Sequence, residues 1–372
     1  MKNYLSFLFV AMLFAHTITA QDTDRKIQFP DIDGYLSLKA DLHIHTVFSD
    51  GSVWPNIRVE EALWDGLDAI AITEHLEYQN HKDDLPNPDR NRAYYIARDN
   101  AKAHDLIVIP GAEITRSLPT GPGHCNALFI EDANKLLVEE SIDVFEEAKR
   151  QGAFVMWNHP DWVAHRPDGV ARMNDFNKDL ISKGLIHGIE VVNDITYSEE
   201  TIDIAKEYGL TQIGASDVHG LVDYQFRIAS GNHRPITLIF AKEKTAESMK
   251  EALFAGRTVA WFNNNLIGEE EWLKAICNAS LSFEYDDYIG PTTILQVKVT
   301  NISDVDFILN NTSKYSFQRN ARIIEIPAHS EKTLLVRTLE SLSTVDLQFE
   351  ILNAVTGKDE YLTLDVPVAK KK

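Results

Sequence analysis

The sequence predicts an α/β protein in which a barrel of alternating strands and helices is followed by a small β-sandwich. From residue 36 onward, short apolar runs alternate with helical patterns, which is typical of βα units around a mostly parallel sheet. Beyond about residue 269, apolar and polar residues alternate singly, as in half-buried antiparallel strands. A chain of 372 residues, 44% of them apolar, is long enough for two such domains.

Residues 1–20 are a predicted signal peptide. An apolar run at 5–14 follows Lys2, and small residues precede Gln21. The run is too short to span a membrane comfortably, and no later stretch approaches such a span. An uncleaved anchor or a buried first strand is the alternative interpretation. We therefore expect a secreted or periplasmic protein. Its predicted domains are a barrel at 21–268 and a β-sandwich at 269–372.

The barrel is predicted from the order of its apolar runs. Seven runs are predicted strands, at residues 38–44, 69–73, 106–110, 126–130, 153–157, 186–192 and 212–215. Helices are predicted between them at 57–64, 92–103, 138–151 and 199–208. Two further predicted strands, 236–240 and 258–262, bracket a helix near 246–254.

The C-terminal hundred residues carry the alternating pattern at 295–299, 345–351 and 362–366. They contain one histidine, His329, and no cluster of metal-ligating residues. We therefore predict a packing or interaction module rather than a catalytic one.

Composition excludes several classes of protein. The formal charge of −20 repels phosphate backbones, which argues against a polymeric nucleic acid as partner. The two cysteines, Cys125 and Cys277, lie far apart, and neither belongs to a paired-cysteine motif. This excludes a disulfide scaffold and a zinc finger. The sequence makes no prediction of oligomeric state.

Histidines and carboxylates follow the ends of the predicted strands. His43 and His45 are two residues apart, so on a strand both imidazoles point to one face. Asp50 lies in the loop beyond them, and imidazole is the commonest transition-metal ligand. At or near the later strand ends lie Glu74, His75, Glu113, His124, His159, Asp217 and His219. Because the C-terminal strand ends of a βα fold carry its chemistry, these residues predict a metal site.

The motifs form an ordered set: Asp41-Leu42-His43-Ile44-His45-Thr46 with Ser49-Asp50-Gly51, Thr73-Glu74-His75, Gly111-Ala112-Glu113, Gly123-His124, Asn158-His159-Pro160 and Ser216-Asp217-Val218-His219. This set resembles the PHP (polymerase and histidinol phosphatase) family over about residues 35–265. The resemblance implies a distorted seven-stranded β/α barrel, the (β/α)7 PHP barrel, with two or three metals at the C-terminal face of its strands.

The resemblance also implies which residues bind each metal. The first metal would be bound by His43, His45, Glu113 and Asp217. Glu113 would bridge to a second metal, bound by His124 and His159. A third would be bound by His75, His219 and Asp50, where some relatives have a histidine. Carboxylate oxygen suits zinc, manganese and iron, so we expect two or three ions of Zn2+, Mn2+ or Fe2+.

Closely spaced cations suit attack on phosphorus, since they lower the pKa of bound water and take up charge on phosphoryl oxygens. Arg116 and Arg166 are candidates for a bidentate contact with a phosphate oxygen, although either could be a solvated surface residue. Asp161 and His165 are candidates for the proton donor to the leaving group. A metal-bound water is the alternative donor.

The predicted function is therefore metal-dependent hydrolysis of a small phosphate ester, as a phosphodiesterase or phosphotriesterase. One alternative is a phosphomonoesterase of the histidinol-phosphatase type, which acts in the cytosol and so disagrees with a signal peptide. Another alternative is a non-catalytic metal- or ligand-binding protein. Such a protein would not need an open coordination position.

Overall fold

The computed structural model describes residues 25–116, 121 and 123–370. The predicted signal peptide lies outside these residues. Within the described ranges, no helix has the length and apolarity needed to cross a membrane. The predicted fold class is confirmed, because an α/β unit is followed by two layers of antiparallel strands.

The α/β part contains eleven strands and most of the helices of the described chain. Its strands are β1 (Leu36–Asp41), β2 (Ala69–Ile72), β3 (Ile107–Arg116), β4 (Gly123–Leu128), β5 (Phe154–Trp157), β6 (Gly188–Asn193), β7 (Thr196–Tyr197), β8 (Thr211–Ala215), β9 (Ile236–Ala241), β10 (Thr258–Phe262) and β11 (Asn265–Gly268). The helices are α1 (Pro55–Trp64), α2 (Arg92–Ala101), α3 (Ser141–Arg150), α4 (Asp175–Ser182), α5 (Glu199–Tyr208), α6 (Val222–Gln225), α7 (Ala246–Phe254) and α8 (Glu270–Ser280). Residues Ala133–Leu136 and Ile228–Ser230 form 3-10 helices.

Local sequence explains several helix boundaries. Pro55 occupies the first turn of α1, where its fixed φ suits the helix and its missing N–H is not needed. The Thr245 side chain accepts a hydrogen bond from the backbone N–H of Ser248 and so caps the start of α7. Gly209 ends α5 in the left-handed conformation, with φ of 65°.

The sheet is more mixed than the predicted, mostly parallel one. Strands β1, β2 and β3 are parallel, and so are β5, β6 and β8. Between these two groups β4 runs antiparallel to both β3 and β5. β3 continues past Pro110 to Arg116, and β4, which begins at Gly123, pairs antiparallel beside this extension.

The side chain of Thr237, on β9, forms hydrogen bonds with the backbone of β8. The backbone N–H of Gly214 donates to Thr237 Oγ1 at 3.0 Å, and this hydroxyl donates to the Gly214 carbonyl at 2.8 Å. A Cβ at position 214 would lie 2.8 Å from the Ala260 Cβ, so only glycine allows this approach. The close packing brings the two ends of the barrel sheet together.

The C-terminal strands form two antiparallel layers with alternating burial. They are β12 (Leu281–Tyr288), β13 (Ile294–Asn301), β14 (Phe307–Asn311), β15 (Ser316–Phe317), β16 (Ile323–Ile326), β17 (Glu331–Arg337), β18 (Thr344–Gly357) and β19 (Glu360–Ala369). One layer has the order β12-β13-β17-β15, and the other has the order β16-β14-β18-β19. In β13 every second residue from Leu295 onward is buried, which accounts for the alternation in the sequence.

The two parts of the chain share one continuous sheet. β11 pairs in parallel with β18, through Leu266 with Ala354 and Ile267 with Val355. Helix α8, which the sequence analysis did not predict, lies between β11 and β12 and buries Leu273 and Ile276. The proposed domain boundary at 268/269 therefore lies between two connected elements and stays a prediction.

Candidate metal centre

The first two candidate ligands lie just beyond β1. His43 and His45 are fully buried, and their Nε2 atoms are 3.1 Å apart. The intervening residue fixes this segment, since the Ile44 backbone N–H donates to Thr73 Oγ1 at 2.9 Å and Ile44 bridges to Val218. The two imidazoles thus face a common point, as their spacing predicts.

Eight of the nine candidate metal ligands belong to three groups of closely spaced side chains. Within each group the ligand atoms lie within 4.8 Å of one another. The groups are His43, His45 and Asp217; His75, Glu113 and His124; and His45, Asp50, His75 and His219. Because His45 and His75 each belong to two groups, the groups are adjacent parts of one centre. The assignment of individual metals to these residues stays a prediction.

Glu113 lies at the middle of this centre. The carboxylate is buried on β3, and five imidazoles approach its two oxygens to within 3.5 Å. They belong to His43, His45, His75, His124 and His159. His159 reaches Glu113 although it belongs to none of the three groups.

Two other carboxylates flank the centre. Asp217 Oδ1 lies 3.2 Å from His43 Nε2 and 3.1 Å from His45 Nε2. Asp50 lies 3.3 Å from His75 Nε2 and 3.2 Å from His219 Nε2. The position of Asp50 beside these two histidines matches the third site that the resemblance implies.

Backbone strain is also found at the centre. His159 and Asp217 have φ of 27° and 48°, in the left-handed region that non-glycine residues rarely adopt. Such residues persist where the surrounding structure holds them, and they cluster at functional sites.

Negative carboxylates and imidazoles lie close together at the centre, where most of them are buried. Burial disfavours the charged form of Glu113, but the neighbouring imidazoles of His75, His124 and His43 outweigh it and hold its pKa well below the usual range. Burial likewise opposes charge on His75, while Glu113 and Asp50 raise its pKa to about 11. His45, buried beside His75, has its pKa lowered to about 3. A cluster of ionised carboxylates that draws protons onto imidazoles also attracts cations.

Several buried polar atoms at the centre make no hydrogen bond of normal geometry, although imidazole nitrogens lie near the carboxylate oxygens among them. They are Glu113 Oε2, Asp217 Oδ1, Asp50 Oδ1 and His159 Nδ1. Buried polar groups are normally satisfied, and three of these atoms are carboxylate oxygens, which bind divalent cations. The residues present therefore fit a metal centre.

Behind the candidate ligands lies a carboxylate that the sequence analysis missed. Glu190 Oε1 is 2.8 Å from His43 Nδ1, and Glu190 Oε2 accepts from the backbone N–H of His159 at 2.7 Å and from Asn193 Nδ2 at 2.8 Å. The carboxylate thereby orients His43 for a metal at Nε2. A sequence signal exists, because Glu190 interrupts an otherwise apolar run in β6, all of which is buried.

Glu74 is placed differently from the candidate ligands. Its carboxylate accepts hydrogen bonds from the hydroxyls of Thr46 and Ser49. Ser49 Oγ is in turn 3.3 Å from His45 Nδ1. Glu74 therefore supports the loop after β1, and His75 is the residue of this pair that faces Glu113.

The two candidate arginines form hydrogen bonds with other parts of the chain. Arg116 Nε is 2.7 Å from Glu77 Oε1, and its guanidinium donates to the carbonyl of Val138 at 2.8 Å. Arg166 donates to the carbonyl of Arg172 at 3.0 Å. Neither arginine lines the pocket. Their contact with a phosphate stays a prediction, and it would require these hydrogen bonds to exchange.

Asp161 and His165, the candidate proton donors, do line the pocket. Burial raises the pKa of Asp161. Burial and the neighbouring His124 and His159 lower the pKa of His165 to about 4. Asp161 thus keeps its proton to a higher pH than an exposed aspartate, whereas His165 is neutral at pH 7.

The pocket above the centre has a volume of about 880 Å³. Candidate ligands form its floor, including Glu113, His124 and Asp217. Among the described residues that line it there is no lysine or arginine. Positive charge in the lining therefore comes from protonated imidazoles such as that of His75, or from cations that the floor binds.

A family model described as an Ig-like domain matches residues 281–367. These residues correspond to the two antiparallel layers formed by β12–β19. The match agrees with the predicted β-sandwich.

Over almost its whole length the chain is similar to a crystal structure from Bacteroides vulgatus, a two-domain protein containing a predicted PHP-like metal-dependent phosphoesterase. The sequences are 36% identical, the TM-score is 0.86, and the alignment covers 92% of this chain and 98% of that chain. An uncharacterized protein of Methanocaldococcus jannaschii is 27% identical over 202 residues, which is 51% of this chain and 86% of that protein. A lesion-specific endonuclease of Pyrococcus furiosus aligns at 16% identity over 63% of this chain and 59% of its own, with a TM-score of 0.43, which is too slight a likeness to carry an argument.

Proposed function

Since the chain belongs to the PHP-like metal-dependent phosphoesterases, we propose that it hydrolyses small phosphodiesters or phosphotriesters in preference to phosphomonoesters. Family membership makes it a phosphoric ester hydrolase that depends on divalent metal ions. The preference for diesters and triesters, the metal identity and the compartment are the parts that we propose.

One observation carries the proposal: Glu113 is buried among five imidazoles, with Asp217 and Asp50 on either side. Burying so many ionisable groups without a counter-ion is costly. A structural zinc site needs only four ligands, whereas this centre supplies nine candidate ligands around shared residues. Such sharing suits neighbouring cations, which in phosphoesterases act on one substrate.

The candidate ligands would hold two or three ions of Zn2+, Mn2+ or Fe2+. When bound, such ions supply Lewis-acid stabilisation of phosphoryl charge and make water a stronger nucleophile near neutral pH. The chain's own residues fix the centre, because Glu190 orients His43 while the Thr73 hydroxyl holds the loop that carries His45. The pocket walls then position the ester above the floor.

The proposed preference for diesters rests on charge. Asp161 and Asp194 line the pocket without belonging to the candidate ligand set. No lysine or arginine accompanies them among the described lining residues, and residues 117–120 and 122 contain none in their sequence. A phosphomonoester dianion would therefore meet less compensating charge than a diester monoanion or a neutral triester.

Secretion is proposed from the sequence of residues 1–20. A small ester as substrate, rather than a polymeric nucleic acid, is proposed from the formal charge of −20.

The test combines elemental analysis with two chromogenic substrates. We expect two or three transition-metal ions per chain, and hydrolysis of bis-para-nitrophenyl phosphate with a higher kcat/KM than para-nitrophenyl phosphate. The matched control is Glu113→Gln, which keeps nearly the same shape but should lose metal and activity together. Bound metal without turnover of either ester would refute the hydrolase, and a faster monoester would refute the diester preference.

A further inference from the structure

Large apolar side chains stand exposed around the pocket. Tyr78, Trp162, Val163 and Tyr197 all line it, with 48%, 42%, 65% and 38% of their surface exposed. They are four of the sixteen large apolar side chains that are exposed in the described part of the chain. Exposed apolar surface concentrated in one concave site marks a place that a ligand covers.

Trp162 packs against two of the candidate ligands, His124 and His159. Its ring centroid lies 5.4 Å from that of His124, 5.3 Å from that of His159 and 4.8 Å from that of His165. The Trp162 backbone N–H also donates to the His159 carbonyl at 2.9 Å. The indole is therefore fixed beside the floor while part of its surface remains open.

Most of the exposed wall is aromatic rather than aliphatic. Tyr78 packs edge-on to His75 with ring centroids 5.6 Å apart, and Tyr197 comes from β7. Val163 is the aliphatic member of the exposed set. Rigid aromatic walls suit a flat ring, since stacking adds to the gain from burying apolar area.

We propose that the preferred substrate is a phosphodiester in which the ester group that stays on the phosphorus, rather than the leaving group, is a flat aromatic ring, and that Trp162 determines this specificity by contacting that ring. This inference rests on the proposed function, because it assigns the substrate class of the same site. The phosphate of such a diester carries one negative charge, in agreement with the absence of lysine and arginine among the described lining residues.

The test uses three diesters that share a para-nitrophenolate leaving group and differ in the second ester: methyl, cyclohexyl or phenyl. The leaving group is constant, so differences in kcat/KM report on the second group. We expect the phenyl ester to exceed the methyl ester by about tenfold, with the cyclohexyl ester well below the phenyl ester. In Trp162→Ala, the kcat/KM for the phenyl ester should exceed that for the methyl ester by no more than about threefold. Trp162→Phe should keep most of the wild-type preference.

Trp64→Ala is the matched control. Trp64 is 51% exposed at the end of α1 and does not line the pocket, so its removal should leave the ratio unchanged. Metal content is measured for every variant, and the ratio is internal to each protein, so partial loss of metal does not obscure the result.

The outcomes separate the two proposals. Equal hydrolysis of all three diesters, or a preference that survives in Trp162→Ala, would overturn the inference while the phosphodiesterase function stands. Equal rates for cyclohexyl and phenyl esters would show selection for apolar bulk and would overturn the aromatic specificity. No turnover of any diester by metal-loaded protein would overturn the proposed function, and the inference with it.

Discussion

Glu190 Oε1 lies 2.8 Å from His43 Nδ1, deep beneath the candidate metal centre. The other oxygen of Glu190 accepts from the His159 backbone N–H. One buried carboxylate on β6 therefore fixes two candidate ligands that come from the ends of β1 and β5. This arrangement gives Glu190 a role at the centre although it faces away from the pocket.

Glu190→Gln should weaken metal binding, because the uncharged amide makes His43 a weaker base. We expect a loss of roughly 10- to 100-fold in metal affinity or in activity at limiting metal. Competition with a chelator measures the affinity, and excess metal should restore part of the rate. Glu207→Gln, on the exposed face of α5, is the control. An unchanged affinity would show that Glu190 only packs the interior.

Glu113→Gln and His219→Ala should remove different amounts of metal. Glu113 contacts imidazoles on several sides of the centre, whereas His219 contacts Asp50 and Asp217 at one edge. We expect Glu113→Gln to lose more than one ion per chain. His219→Ala should lose one ion and keep partial activity, which added metal should raise. Elemental analysis of both variants measures the number of ions per chain. Loss of the same single ion from each would contradict the bridging role of Glu113.

Arg116→Ala should act on stability more than on catalysis, because the guanidinium joins Glu77 to the Val138 carbonyl. We expect the free energy of unfolding to fall by about 1–3 kcal/mol, the range for lost charge-assisted hydrogen bonds. Urea unfolding and kcat are measured together, with Arg166→Ala for comparison. A fall in kcat above tenfold at unchanged stability would instead support the predicted contact between Arg116 and a phosphate.

His233 should make the protein less stable in mild acid. Burial lowers its pKa to about 4 while its ring stacks on Trp261 with centroids 3.4 Å apart. An unfolded histidine titrates near 6.5, so between these values the unfolded chain binds a proton that the folded chain does not. This contribution is fully present above pH 6.5 and is lost as the pH falls towards 4. The loss reaches up to about 3 kcal/mol.

His233→Phe keeps a ring against Trp261 but removes the titrating group. Urea unfolding at pH 7.5, 6 and 5 should therefore show a flatter dependence on pH for this variant than for the wild type. His104→Phe, at an exposed position, should keep the wild-type slope. Parallel slopes for His233→Phe and the wild type would contradict the assignment.

Local sequence pattern was sufficient to predict that His43 and His45 face the same side. On an extended segment, residues two apart point to the same face, and the structure places the imidazoles of His43 and His45 side by side. The pattern could not predict the direction of β4, since an apolar run reads the same in parallel and antiparallel pairing. That direction depends on how far β3 continues beyond Pro110.

The sequence does not indicate which residues far apart in the chain contact one another. Arg116 is predicted to contact a phosphate because it follows Glu113 closely, and the sequence does not indicate its ion pair with Glu77, which comes from the loop after β2. Glu190 was overlooked because a carboxylate inside an apolar strand gives no indication of which histidine it meets. Helix α8 lies just past residue 269, where strands alone were predicted.

The pairing of β11 with β18 has a consequence for the order of folding. Leu266 meets Ala354 across 88 residues of sequence (354 − 266), and the strands between belong to the other part of the chain. Contacts this distant in sequence form late, because the loop between them must be closed first. Until β18 arrives, one side of β11 presents unpaired backbone groups, the kind of edge that recruits strands from other molecules. Completion of the C-terminal strands thus protects the newly made enzyme from self-association.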